Sequence, residues 1–260
     1  MAHDFTLDKY TELLNAAIKA GYTLTSYEDF IVSGNKYGKV FILRHDVDNL
    51  PNNSVATATI ENKLGAKGSY YFRVVKQSFD ESAINKIKSL GHEIGYHYED
   101  MALCNGDIEK AFTHFKTWLE TFKKLYPVKT VCMHGSPLSK WDNRLLWKKY
   151  SYKDLGIIAE PYFDTDFKKV LYITDTGRQW NNSTSSVRDK VDSGFDFKFA
   201  STDDICTAFL QNKLPNRIML NIHPQRWTDN YYFWAKELIL QNIKNIVKKF
   251  LVSRNKQSAD

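Results

Sequence analysis

From residue 7 onward the chain alternates between two hydrophobic periods, one helical and one of two, and this restricts its fold more than any other feature. Thr6 to Ala20 reads as an amphipathic N-terminal helix, with Leu7, Tyr10, Leu13, Leu14, Ala17 and Ile18 on one side. Lys39–Asp48 (KVFILRHDVD) is β-rich, and a helix is expected from about Asn53 to Leu64. Strands over Ser69–Val74 and His92–Glu99 flank a helix over Glu81–Leu90 that Gly91 stops. A long helix over Asp107–Tyr126 ends before Pro127, and Lys129–Pro137 runs from strand into loop. Asn143–Tyr150 reads as helix, and Gly156–Phe163 and Lys169–Thr174 read as strands. Residues 175–198 are polar and read as a long loop, followed by a helix over Ser201–Lys213 and a strand over Arg217–His223. A closing helix is expected from Tyr231 to about Ser253. Repeated strand–helix units predict a parallel sheet, and their number predicts one distorted (β/α) barrel of about seven strands spanning residues 1–260 as a single domain.

Reading each strand at period two separates an apolar face from a polar one. In the first strand Phe41, Leu43, His45 and Val47 share one face, and Ile42, Arg44, Asp46 and Asp48 share the other. In HEIGYHYE, Ile94, Tyr96 and Tyr98 oppose Glu93, Gly95, His97 and Glu99. His134 follows Cys132 on one face of the 129–137 run, and His223 closes RIMLNIH. Barrel sites lie at the carboxyl ends of the strands. Asp46, Asp48, His97, Glu99, His134 and His223 are therefore expected at one mouth. A shared cation explains why so many costly polar groups should be gathered there. Carboxylate and imidazole donors suit zinc, with nickel, cobalt or iron as alternatives. The plainer expectations are that Asp46 pairs with Arg44, that His45 is a packed or hydrogen-bonded core residue, and that His3, His92 and His114 are structural or solvent-facing.

Composition narrows the partners. The formal charge is +6, but Lys and Arg are spread along expected helices without a basic and aromatic stripe, so solvated helix faces account for it and no nucleic acid is expected. Three scattered cysteines argue against a disulfide framework and for a reducing compartment. No signal peptide and no apolar run of spanning length is visible, which predicts a cytoplasmic protein without membrane insertion.

LRHDVD, followed by SYYFRV and GHEIGYHYE and closed by LNIHP, resembles the polysaccharide deacetylase (NodB-homology) family over about residues 38–224. RHDVD with MHGSP and DTGRQW is similar to deacetylase-like proteins of bacterial surface-polysaccharide loci. The resemblance implies a metal-dependent hydrolase removing an acyl group, N-acetyl above all, from an amino sugar or glycan precursor. It matches Asp46 to the base, His97 to the first metal histidine and His223 to the general acid. Val47 stands where the family has its metal aspartate, so Asp48 is the substitute. Met101 stands at the second metal histidine, leaving Glu99 or His134 as the third ligand. Arg44 takes the place of the arginine that orients the base. The mechanism implied is attack by water that the cation acidifies. Arg44 is also a candidate substrate contact, and Trp180 and Trp227, beside Arg178 and Arg226, are candidates for a substrate-binding rim, or equally for lids over the barrel. A catalytically silent carbohydrate-binding barrel, or a metal-dependent amidase acting on a sugar-acid or other amide, also fits these residues.

Overall fold

The computed structural model describes residues 3–34, 36–180 and 191–257, with side chains as far as residue 246. Its core is a sheet of seven strands: β1 Thr23–Thr25, β2 Val40–Val47, β3 Ser69–Phe72, β4 Glu93–Tyr98, β5 Val131–Met133, β6 Leu171–Thr174 and β7 Arg217–Ile222. The helices are α1 Leu7–Lys19, α2 Tyr27–Ser33, α3 Pro51–Lys63, α4 Glu81–Ser89, α5 Asp100–Leu103, α6 Ile108–Leu125, α7 Pro161–Asp164, α8 Thr202–Leu210 and α9 Tyr231–Gln257. All ladders are parallel, in the order β5-β4-β3-β2-β7-β6. One edge of β2 is shared, its first half pairing β1 and its second half β3. Among the described residues no ladder joins β6 to β5, so the sheet curls into an open half-barrel with helices outside.

The outer face is apolar, as period two predicts. Phe41, Leu43, Ile218, Leu220 and Ile222 pack with Leu13, Leu14 and Phe209 from α1 and α8. Val47, Phe72, Ile94 and Tyr96 pack with Ile84, Ile87, Phe115 and Phe122 from α4 and α6. Burying side chains of this size stabilises by about 1.5–3 kcal/mol each. Val47 belongs to this outer cluster, so the next inward carboxylate after Asp46 is Asp48. Gly95 admits the inward ring of Tyr71, because a Cβ there would lie 2.4 Å from that ring.

Two expectations change. Gly156–Phe163 is no strand: Gly156 turns with φ +78°, and the Glu160 side chain caps α7 with Pro161 in its first turn. Only Ala159 bridges, to Thr130. The seventh strand is β1, whose three residues carry too short a pattern to read. Asn143–Lys148 is a 3₁₀ turn rather than an α-helix. Of the expected loop at 175–198, residues 181–190 lie outside the described residues, and the rest holds no helix or strand. No disulfide joins Cys104, Cys132 or Cys206. Among the described residues no helix is long and apolar enough to cross a membrane.

Candidate metal centre and its acid and base groups

The inward side chains climb the half-barrel in layers, and the topmost layer lines a cavity of about 660 Å³ that includes Asp46, Asp48, His97, Glu99, His134 and His223. All six site residues expected at the mouth therefore meet. Asp48, just beyond β2, places Oδ1 3.8 Å from His97 Nε2 and 3.5 Å from His134 Nε2. Donor atoms of these three residues all lie within 4.8 Å of one another. His97 Nδ1 is 2.9 Å from the Cys132 carbonyl, which can only accept, so the proton sits on Nδ1 and Nε2 presents a lone pair. His134 Nδ1 is 2.8 Å from Glu99 Oε2 with the same consequence. Asp48 Oδ1 is buried and receives no hydrogen bond. That orphaned carboxylate oxygen beside two imidazole lone pairs is a donor set of the kind a divalent cation takes.

Electrostatics keep the donors in their ligating forms. Burial pushes the His97 imidazole down to about 4, against the pull of Asp46 and Asp48, so it is neutral at pH 7. Burial works to raise Asp48, but His134, His223 and His97 hold it below the usual carboxylate range. Glu99 is not free to ligate on the same terms. Arg73 grips its two oxygens at 2.7 and 2.9 Å, and His134 takes the second of them. A second grouping, Asp46 with His97 and Cys132, shares His97 with the first, but Cys132 does not line the cavity. It fits a cation less well, because Asp46 already accepts from Arg44 and Asn221.

Arg44 and Asp46 form a bidentate pair at 3.0 and 2.8 Å, both buried. Burial would raise Asp46, yet Arg44, His97 and His223 hold its carboxyl far below its ordinary value. Tyr162 backs the guanidinium with its hydroxyl at 3.0 Å and its ring 4.8 Å away. Arg44 thus stands behind Asp46, away from the cavity, and the substrate contact expected of it is corrected to an orienting one. On the other side His223 turns Nε2 toward Asp48 Oδ2, 3.9 Å away. Its Nδ1 meets Asp175 Oδ1 at 2.6 Å. Asp175 is fixed by Trp227 Nε1 at 2.8 Å and Arg226 Nη1 at 2.7 Å.

Of the expected rim residues Arg226 lines the cavity, and the other three lie elsewhere. Trp180 is buried against Phe5 and donates to Thr202, and Trp227 is buried beneath Asp175. Arg178 is sandwiched by Phe5 and Trp234 and donates to the Trp234 carbonyl. None of the three lines the cavity, because each is held in the seam between the amino-terminal segment, α9 and the loop after β6. Off the site, His45 bonds to Glu61 and Ser69 and stacks on Tyr70 as a core residue. His92 is buried between Gly68 and Ala58, and His114 pairs with Asp100.

Sequence reading missed Asp175 and Arg73. Both follow the carboxyl end of a strand, β6 and β3, so the rule that found Asp48 would have found them had it been applied to LYITD and SYYFR.

The molecule is thus an open-barrel α/β protein with its titratable cluster at the carboxyl ends of β2, β4, β5 and β7. No family model matches the chain, and no curated protein matches it. Among solved structures, a mutant of the peptidoglycan deacetylase PdaC from Bacillus subtilis is similar at 12% identity and a TM-score of 0.42, over 85% of this chain and 96% of that one.

Proposed function

We propose that the protein is a metal-dependent hydrolase that removes an acyl group, N-acetyl first of all, from an amino sugar. The observation that carries this reading is the orphaned Asp48 Oδ1 facing the two imidazole lone pairs of His97 and His134. The motifs around these residues, with their resemblance to polysaccharide deacetylases, supply the reaction class.

Asp48, His97 and His134 would hold the cation, zinc by donor type, with nickel, cobalt or iron as the alternatives. When bound it would supply Lewis acidity toward an acyl carbonyl and toward water. Asp46 is held ionised by Arg44 and takes the proton of the attacking water. Asn221 donates to Asp46 at 3.0 Å, and Tyr162 holds the Arg44 guanidinium that pairs with it. His223 approaches from the β7 side and gives a proton from Nε2 to the departing amine, since an amide nitrogen leaves as the neutral amine. Asp175 holds the ring's other nitrogen and stabilises the charged imidazole. A cavity of about 660 Å³ suits a mono- or disaccharide head. Its substrate is then a nucleotide-linked or lipid-linked precursor, or another small glycoside, of surface-polysaccharide assembly in the cytoplasm.

The test is release of acetate from N-acetylated amino sugars by protein stripped with chelator and reloaded with one metal at a time. Turnover restored by a divalent cation is expected. Reloaded protein that binds the sugars without cleaving them favours a carbohydrate-binding barrel, and cleavage confined to non-sugar amides favours an amidase.

A further inference from the structure

Helix α9 packs by a mixed face. On its protein-facing side Trp234 and Leu238 are half-buried, Gln241 and Asn245 are buried, Gln241 donates to Asn245, and Asn245 donates to the Gly177 carbonyl. Its outward stripe is apolar. Tyr232, Ile239, Ile243 and Ile246 are 69%, 60%, 53% and 55% exposed, and their spacing puts them on one side of the helix, with Phe233 and Leu240 beside them. The packed face leaves these large apolar side chains uncovered, a surface for something else to cover.

Charge says what covers it. The helix holds six of the chain's 36 Lys and Arg and one of its 30 Asp and Glu, by sequence. The rest of the chain is within one charge of neutral, so the excess of +6 is almost wholly a property of α9. Basic residues are spread along the other helices too, but their excess over acids is largest in α9. A basic helix with Tyr231, Tyr232 and Phe233 at its start and isoleucines along one side has the composition of a helix lying in an anionic bilayer interface. A second copy of the chain is disfavoured as the occupant, because pairing would bring the two basic helices together. The cavity agrees with this. Ile243 of α9 lines it together with Leu103 and Leu138, which are 43% and 86% exposed, so exposed apolar groups stand on both sides of the cavity, beside Glu237 and Lys244.

We infer that α9 docks the protein on an anionic membrane surface, apolar face down, with the cavity mouth opening at the lipid interface. The docking stands independently of the proposed chemistry. If that chemistry holds, the substrate head is presented on a lipid.

Flotation with vesicles of phosphatidylcholine alone, and of phosphatidylcholine with 30% phosphatidylglycerol, tests it on the full chain without substrate. Wild type is expected to float with the anionic vesicles, weakly or not at all with the neutral ones, and to be released by 0.5 M salt, since each cation near the surface adds about five-fold to partitioning. Tyr232→Ser, Ile239→Ser and Ile246→Ser together should weaken anionic binding by at least about ten-fold, because they remove the inserted apolar surface while leaving the cavity residues alone. Equal binding of wild type and variant, or no binding by wild type, overturns the inference. So does a wild-type dimer that the three substitutions convert to monomer, which would assign the face to self-association. Hydrolysis of a water-soluble substrate by the variant, measured in parallel, separates the fate of this inference from that of the chemistry.

Discussion

Glu99 and His134 are joined through Oε2 and Nδ1 at 2.8 Å, and Arg73 clasps the same carboxylate through two nitrogens. Burial works to raise Glu99, but His134 and Arg73 pull it down to about 2, so it is a full anion whenever the protein is folded near neutrality. The arrangement points the remaining nitrogen of His134 at Asp48 and makes Glu99 the group that aims a proposed ligand.

Glu99→Gln should lower zinc affinity about 10–100-fold, the usual consequence of removing a ligand's orienting partner. Stoichiometry should remain near one at saturating metal. His97→Ala, by contrast, should abolish stoichiometric binding. Calorimetric titration of zinc into chelator-stripped protein measures both, and a Glu99→Gln protein that binds as tightly as wild type would refute the orienting role.

Asp46→Asn keeps the shape of the side chain and removes the proposed base. Turnover should fall about 10²–10⁴-fold while metal content is unchanged. Arg44→Met should act differently, because it strands a buried carboxylate. A drop in stability of about 3–5 kcal/mol is expected from denaturant unfolding. An Asp46→Asn enzyme with normal kcat and normal metal would require another base.

Asp175→Asn should cut kcat about 10²-fold on an amide substrate by disorienting His223. A structural defect would slow every substrate alike. An acetyl ester with a phenolate leaving group needs no proton on departure, so it should lose much less rate. Equal losses on amide and ester would place Asp175 outside the acid function.

Glu93 accepts from Ser69, Thr130 and the Glu28 amide deep in the half-barrel, and burial pushes its carboxyl up to about 7. The unfolded chain releases this proton near 4.5 and the folded chain holds it to about 7, so stability should fall as pH rises through that window. The loss is on the order of 2–3 kcal/mol. Thermal unfolding at pH 5.5 and pH 8 measures it. Glu93→Gln should flatten this dependence, leaving the part due to Glu160, which burial also pushes up to about 7. A wild-type protein with no drop between the two pH values would show that the carboxyl ionises freely in the fold.

The strand pattern was readable wherever both faces were long enough to alternate, which is why β2, β4 and β7 and the inward placement of Asp46, Asp48, His97 and His223 followed from period two. β1 has only three residues, and its register against Val40–Ile42 is a property of the assembled sheet. The roles of Trp180 and Trp227 were unreadable for a different reason. An indole that stacks on a sugar and one that packs on Phe5 have the same local sequence, and only tertiary burial distinguishes them. α9 was recognised as a helix, but which side faces the protein depends on Asn245 reaching Gly177, a contact across 68 positions.

The Arg44–Asp46 pair spans two positions on one pleated strand, whereas Asp48, His97 and His134 come from the ends of three separate strands spread over residues 48–134. The former is set by local backbone geometry and survives small rearrangements of the sheet. The latter depends on how β2, β4 and β5 lie against one another. Loosening that packing should scatter the donors while the arginine still grips its aspartate. Partial thermal inactivation would then be expected to begin as metal loss, in a molecule whose secondary structure is still intact.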